Sequence, residues 1–335
     1  MDNKLLKNIL NEYAQKKYLA EQESENKKRK LFSENIDLEN IEKEINLYSI
    51  KKMNLLINLN EENKNKLEQT EKKINELKIK KEKILNKLSI SENYFFPNYE
   101  CKICNDTGYI KKENKTIMCN CLKQKIFDLE YNKSNIGNIK KENFETFNLN
   151  LYSDEIDSNL QISPRENIKI IKEISENFIN NFNCPEEKNL LFTGNTGLGK
   201  TFLCNCIANE LLKKGKTILY QTSPIMIDSI IDYRFGKNDA DFNIIENLLN
   251  VDLLIIDDLG TESLNSMKLT ELFTIINSRI LNQHDKITKT IISTNLDLNN
   301  IFSIYNERIG SRIVGYYNIC RFIGDDIRFK KNKSL

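Results

Sequence analysis

The chain of 335 residues predicts an α/β fold, a parallel sheet flanked by helices, preceded by a long helical arm and a small cysteine-bearing segment. Three observations lead there. Gly194-Asn195-Thr196-Gly197-Leu198-Gly199-Lys200-Thr201 fits the phosphate-cradling pattern G-x-x-x-x-G-K-[ST], set between an apolar run and a helical pattern. Val251 to Asp258 reads as a buried strand that ends in two carboxylates. Ahead of both, nothing before Pro97 is Pro and nothing before Gly108 is Gly, so the first part of the chain lacks both strong helix breakers.

The arm spans residues 1–94. Ile36, Leu38, Ile41, Ile45, Tyr48, Met53, Leu56 and Leu59 recur at roughly helical spacing. From Leu67 the pattern is close to heptad, through Ile74, Leu77 and Leu88, with Lys81 interrupting one seam position. Two or three long helices follow, as an antiparallel hairpin or coiled coil. The Lys and Asn content also allows an unpaired charged helix or a disordered segment. An arm of this kind more often docks a partner than performs chemistry.

Residues 95–125 carry Cys101, Cys104, Cys119 and Cys121, a C-x₂-C knuckle followed by a C-x-C pair. Four thiolates at this spacing can close tetrahedrally on Zn²⁺, and Asn105, Asp106 and Gly108 supply the turn between them. With every position filled by protein, the zinc is expected to be structural and to supply much of the folding free energy of so short a segment. A redox C-x-x-C lacks its usual strand–helix setting here. Cys184, Cys204, Cys206 and Cys320 show no clustering.

Residues 126–165 read as a linker and residues 166–330 as the ATPase domain. Leu190 to Phe192 form the strand that delivers the loop; Phe202, Leu203, Ile207, Leu211 and Leu212 form the helix it opens. Backbone N–H groups of Gly194, Asn195, Thr196, Gly197, Leu198 and Gly199 would curl around phosphates. Lys200 would reach the β/γ-phosphates of ATP or GTP, and Thr201 would offer a hydroxyl to Mg²⁺. Asp257, at the carboxyl end of its strand, would hold Mg²⁺ directly or through water. Asp258 is placed to orient or deprotonate the attacking water.

Two further strands are expected. Thr217 to Thr222 lies between the two acidic and glycine-rich motifs, and Thr290 to Asn295 ends in a polar amide. Thr-Asn after a strand is often an ordinary turn. Its place after the acidic strand suits the additional-strand class of P-loop ATPases, in which Asn295 would sense the γ-phosphate and position water. Arg308 and Arg312, four apart, fall on one face of a short helix. Either one serves as an arginine finger in a neighbouring subunit or both form a solvated basic face.

Composition narrows the classes. Formal net charge is +2, so there is no global polyanion signature, although Lys27-Lys28-Arg29-Lys30 is a local basic run. No apolar stretch approaches the roughly 20 residues needed to span a bilayer. The N-terminus lacks the apolar core and cleavage site of a signal peptide, and a cytoplasmic protein with no membrane partner is expected. His284 is the sole histidine, which makes a Ser–His triad or a His₃ metal site implausible.

The motifs together resemble the replicative helicase loaders of the DnaI/DnaC type, within the AAA+ ATPases and close to the IstB-like transposition ATPases. The likeness rests on Asp106-Thr107-Gly108-Tyr109, Phe144-Glu145-Thr146-Phe147-Asn148-Leu149, Asn195 to Thr201, Ile256 to Gly260, Ser293 to Asn295, Glu307 to Arg312 and Phe322 to Arg328. It implies an AAA+ core with no C-terminal helical lid. It also implies a box VII finger at Arg312 with Arg308 beside it, and Arg328 in the family's terminal Asp-Ile-Arg. Many relatives carry Glu where this chain has Asp258.

By the same resemblance, ATP, Mg²⁺ and structural Zn²⁺ are the cofactors. The partners are the hexameric replicative helicase, gripped by the arm and zinc segment, and single-stranded DNA, met by the core. Tyr233, Arg234 and Phe235 stand where the family faces DNA; a buried amphipathic helix is an equal reading of that segment. Assembly into an ATP-dependent oligomer is implied. Two other readings stay open: an IstB-like partner of a transposase, and a nucleotide-binding scaffold with little turnover.

Overall fold

In the computed structural model the residues described are 3–57, 61–113, 115–131, 139, 141–158, 160–236, 244–282 and 286–331. Leu59 and His284 lie outside them. The chain divides into two units, residues 8–110, and residues 111–335 together with 1–7.

The breaker-free arm folds as three helices, α1 (Asn3–Glu34), α2 (Ile36–Ile57) and α3 (Glu61–Lys87). Ion pairs Lys52–Glu71 at 2.7 Å and Lys81–Glu42 at 2.8 Å set α2 and α3 antiparallel. Lys81 therefore breaks the apolar seam to pair with Glu42 across the hairpin. Leu38, Ile74 and Leu77 are buried, but Ile36 and Met53 are 69% and 65% exposed. The expected α2 stripe is thus only partly covered within this unit. A small core of Leu31, Leu38 and Leu85 receives Phe95, and Ser24 Oγ donates to Phe95 O at 2.6 Å.

The segment after α3 turns sharply. Asn105 and Asp106 take positive φ (50° and 54°), and the Asp106 carboxylate accepts from Glu100 N and Cys101 N at 2.9 and 2.7 Å. Side-chain bonds to their own neighbourhood are what let Asn and Asp occupy the left-handed region. β1 (Tyr109–Lys112) and β2 (Lys115–Met118) pair as a two-stranded sheet, and α4 (Asn120–Glu130) follows.

α5 (Pro164–Asn180) starts at a capping sequence: Ser163 Oγ accepts from Glu166 N, with Pro at the first helical position. Next come β3 (Asn189–Thr193), α6 (Lys200–Lys213), β4 (Ile218–Thr222), α7 (Ser223–Arg234), α8 (Ile244–Asn250) and β5 (Leu253–Leu259). The unit continues with α9 (Ser266–Leu281), β6 (Lys289–Thr294), α10 (Leu298–Tyr316), β7 (Tyr317–Arg321) and the short α11 (Arg328–Lys331). No larger helical lid follows β7 among the described residues.

The five-stranded sheet has the order β4-β5-β6-β3-β7 and its pairings are parallel. β6 thus separates the glycine-rich-loop strand β3 from the acidic strand β5, which is the additional-strand arrangement. Alternate residues of β5 enter opposite cores: Leu254 and Ile256 on one face, Leu253 and Ile255 on the other. Helices cover both faces, which is why these strands are near-continuous apolar runs.

Residues ahead of α5 belong to the same cores. Phe127 and Tyr131 join one, Ile139 and Tyr152 the other. The open edge of β4 is closed by α4. Ile218 N donates to Gln124 Oε1 at 2.6 Å, and Gln124 Nε2 donates to Ile218 O at 3.0 Å, so a side-chain amide stands in for a neighbouring strand. No helix among the described residues is long and apolar enough to cross a membrane.

Candidate nucleotide site

The loop after β3 is built for close backbone approach. Gly197 has φ +79°, and a Cβ there would stand 2.0 Å from Asp326 Cγ. Gly199 (φ +89°) opens α6, so the helix N-terminus faces a cavity of about 340 Å³. Thr196, Lys200, Thr201, Asp258, Asn295 and Arg328 are among its lining residues. Exposed N–H groups and the helix dipole there favour an anion.

Lys200 is 6% exposed. Its Nζ donates to Gly194 O at 2.6 Å, Asn195 O at 2.8 Å and Asn295 Oδ1 at 2.7 Å. Burial lowers its pKa, opposed by the charges of Asp258 and Asp257. Phosphate oxygens in the cavity can replace these neutral acceptors with charged ones, a stronger partnership for a half-dry ammonium.

The acidic pair lies where β5 breaks register. A bulge separates Ile256 from Leu259, and Asp258 takes φ +56° with its N–H on Ser293 Oγ at 3.2 Å. The bulge aims the two carboxylates differently: Asp257 stays buried in the sheet, while Asp258 lines the cavity. Burial, then the charge of Asp257, raises the Asp258 pKa against the pull of Lys200. A raised carboxyl pKa is the direction expected of a proton acceptor. The Thr201 hydroxyl lies 3.4 Å from Asp257 Oδ1, and this pair of hard oxygens fits a Mg²⁺ ion bound with nucleotide.

The structure therefore brings Lys200, Thr201, Asp257, Asp258 and Asn295 into one place. Sequence reasoning missed three supports. Tyr220 OH donates to Asp257 Oδ2 at 2.7 Å, Ser293 Oγ donates to Asp257 Oδ1, and Tyr152 OH donates to Leu198 O at 3.0 Å beneath the loop. Ser293 stands inside a quoted motif, but nothing in the spacing of Tyr220 or Tyr152 signals a role.

Arg312 and Arg308 lie elsewhere. They follow a kink at Asn306 (φ 68°) in α10 and line a separate cavity with Phe273, Glu307 and Ser311. Neither guanidinium lines the cavity of its own glycine-rich loop.

Of the four expected zinc ligands, Cys101 and Cys104 lie in the first unit and Cys119 and Cys121 in the second; Cys104 and Cys119 are buried. Gly108 N donates to Cys104 Sγ at 3.3 Å. Cys204, Cys206 and Cys320 are buried singly in the sheet unit, and Cys184 is exposed.

Among known proteins, the replicative helicase loader DnaC of Escherichia coli K12 is 28% identical over 123 residues, covering 37% of this chain and 49% of that protein. An ATP-binding protein of insertion sequence IS1162 from Pseudomonas fluorescens is 28% identical over 110 residues, covering 32% and 46%. The chain spans about half the length of the curated relatives it matches. A crystal structure of the DnaC helicase loader aligns with a TM-score of 0.42 and 23% identity, over 55% of this chain and 98% of that one. The profile described as "IstB-like ATP binding protein" matches residues 154–332, more than half of the 335. That stretch holds the glycine-rich loop, the acidic strand, the Asn295 strand and both arginines, and the chain belongs to the IstB-like ATP-binding family.

Proposed function

We propose that this protein is an ATP-dependent loader of the replicative DNA helicase. The observation that carries the reading is the convergence of Lys200, Thr201, Asp258 and Asn295 on one cavity, with Asp257 3.4 Å from the Thr201 hydroxyl, in a chain similar to helicase loaders. Lys200 would hold the β/γ-phosphates of ATP, with the loop N–H groups around them. Thr201 and Asp257 would hold Mg²⁺, which supplies charge neutralisation when bound. Asp258 would accept the proton of the attacking water and Asn295 would orient that water.

Arg312, off its own cavity, would complete the site of the next protomer, so ATP would favour an oligomer. Cys101, Cys104, Cys119 and Cys121 would hold a structural Zn²⁺. The arm and the zinc segment would grip the hexameric helicase, and the core would meet single-stranded DNA.

The test is to mix the purified protein with the host's replicative helicase, with and without ATP, and measure complex mass by light scattering. A defined complex that is lost on deleting residues 1–125 is the expected result. No complex in any nucleotide condition would overturn the loader reading. A second reading, the ATPase partner of a transposase, is favoured by the family description and the insertion-sequence relative. It expects binding to double-stranded DNA and no helicase contact. A scaffold with little turnover, kept open by Asp258, expects a Lys200→Ala variant with full activity.

A further inference from the structure

Just past α3 the first unit turns one aromatic ring inward and the next one out. Phe95 packs on the core of Leu31, Leu38 and Leu85, and its carbonyl accepts from Ser24 Oγ at 2.6 Å. Phe96 takes an extended backbone (φ −87°, ψ 139°), the conformation favoured before a proline, here Pro97. Successive side chains of an extended chain point oppositely, and Phe96 is 67% exposed. It lines a cleft of about 650 Å³ with Tyr94, Tyr99, Lys27 and Lys102; the rest of the lining is amides and Pro97 and includes no carboxylate. Glu23 meets Lys27 at 2.6 Å, and Glu21 accepts the Tyr99 hydroxyl at 3.1 Å, both from outside that lining. Lys27 opens the basic run Lys27-Lys28-Arg29-Lys30 on α1, which the nucleotide site leaves unused.

We propose that this cleft binds single-stranded DNA, giving the first unit a strand site of its own, apart from any on the core. A single strand offers open base faces alternating with phosphates. Rings at the cleft supply stacking surfaces that any base can use, and the ammonium groups supply the counter-charge. Phe96 suits the task, because its pre-proline backbone has little freedom left to lose when a base covers the ring. The Glu23–Lys27 pair is exposed and weak, so a phosphate can take its place. Aromatic grooves also take proline-rich peptides, but cations without a carboxylate in the lining favour a polyanion. DNA rather than RNA follows from the replication reading above, and in that respect alone the proposal rests on it.

The chain has no tryptophan, so Phe96→Trp places a sole fluorescent reporter in the cleft. The experiment titrates the full chain carrying that substitution with oligo(dT), a hairpin duplex, oligo(rU) and the replicative helicase. Indole emission is read alongside the anisotropy of labelled oligo(dT). Oligo(dT) is expected to quench the emission by stacking, and the duplex, which offers no open base faces, to leave it unchanged. Adding Lys27→Ala should raise the half-quenching concentration about fivefold near 0.1 M salt. It should also lower the slope of log affinity against log salt by about 0.7, the value of one phosphate contact on a single strand. No quenching by oligo(dT) overturns the proposal, whether or not anisotropy shows the strand bound on the core. So does quenching that ignores Lys27→Ala, equal quenching by the duplex, or stronger quenching by oligo(rU). Emission that answers to the helicase and not to oligo(dT) would make the cleft a protein dock and overturn it too. A missing helicase complex overturns the loader reading without changing the oligo(dT) result, so the two fail separately.

Discussion

Lys200 Nζ donates to Asn295 Oδ1 at 2.7 Å, joining the first turn of α6 to the tip of β6. The contact exists because β6 lies between β3 and β5, so its tip amide emerges beside the loop that β3 delivers. The two residues have separable tasks in the proposed reaction. Lys200→Ala should abolish ATP binding as read by calorimetry. Asn295→Ala should keep ATP affinity within a few-fold and lower turnover by about 10²-fold, the scale of removing one preorganised donor.

Arg312 does not line the cavity of its own glycine-rich loop, and on the proposed reading its loss should act between subunits. Arg312→Ala should retain ATP affinity and lose about 10³-fold or more in turnover within an assembly. Mixing Arg312→Ala with Lys200→Ala subunits should restore part of that turnover, because one supplies the intact cavity and the other the intact arginine. A mixture no more active than its components would remove the trans role.

The four-thiol cluster is expected to carry one Zn²⁺ per chain, measured by mass spectrometry of the purified protein. Cys104→Ser should lower that stoichiometry and loosen the segment, seen as faster hydrogen exchange over residues 95–125. ATP affinity should stay unchanged, since the cluster and the ATP cavity share no residue.

Asp252 is a buried carboxylate at the start of β5. Burial raises its pKa, but the Thr217 N–H and hydroxyl at 2.8 and 2.7 Å, with Lys286 at 3.3 Å, outweigh that and lower it. Folded pKa below unfolded pKa means the contribution is full above the ordinary aspartate value and fades as pH falls through the folded value. Asp252→Asn should therefore cost about 1–3 kcal/mol near neutral pH. Denaturant titrations should show its gap from the wild type closing below pH about 4.

Much of this was legible before any coordinates. The loop from Gly194 to Thr201 and the acids after Val251 are read from spacing, because phosphate and metal chemistry tolerates few residue types at those positions. Asn295 is legible only by its place after the acidic strand. Tyr220 and Tyr152 carry no such signal: a tyrosine in an apolar run looks like core until the acceptor of its hydroxyl is known. The α2 stripe misleads in the opposite sense, because helical periodicity predicts a face but not what covers it. Leu38 is buried there, while Met53 stays exposed.

By itself the sequence determined the fold class and marked the glycine-rich loop, the acidic pair and the four thiols as candidates, since each pattern lies within a short stretch of chain. Tertiary structure alone decided strand order, and with it which side chains meet. Asn295 reaches Lys200 across 95 positions, Tyr220 reaches Asp257 across 37, and Arg312 is kept from its own cavity. Hydrogen bonds and charges act over a few ångströms in space, whereas sequence patterns report only neighbours along the chain.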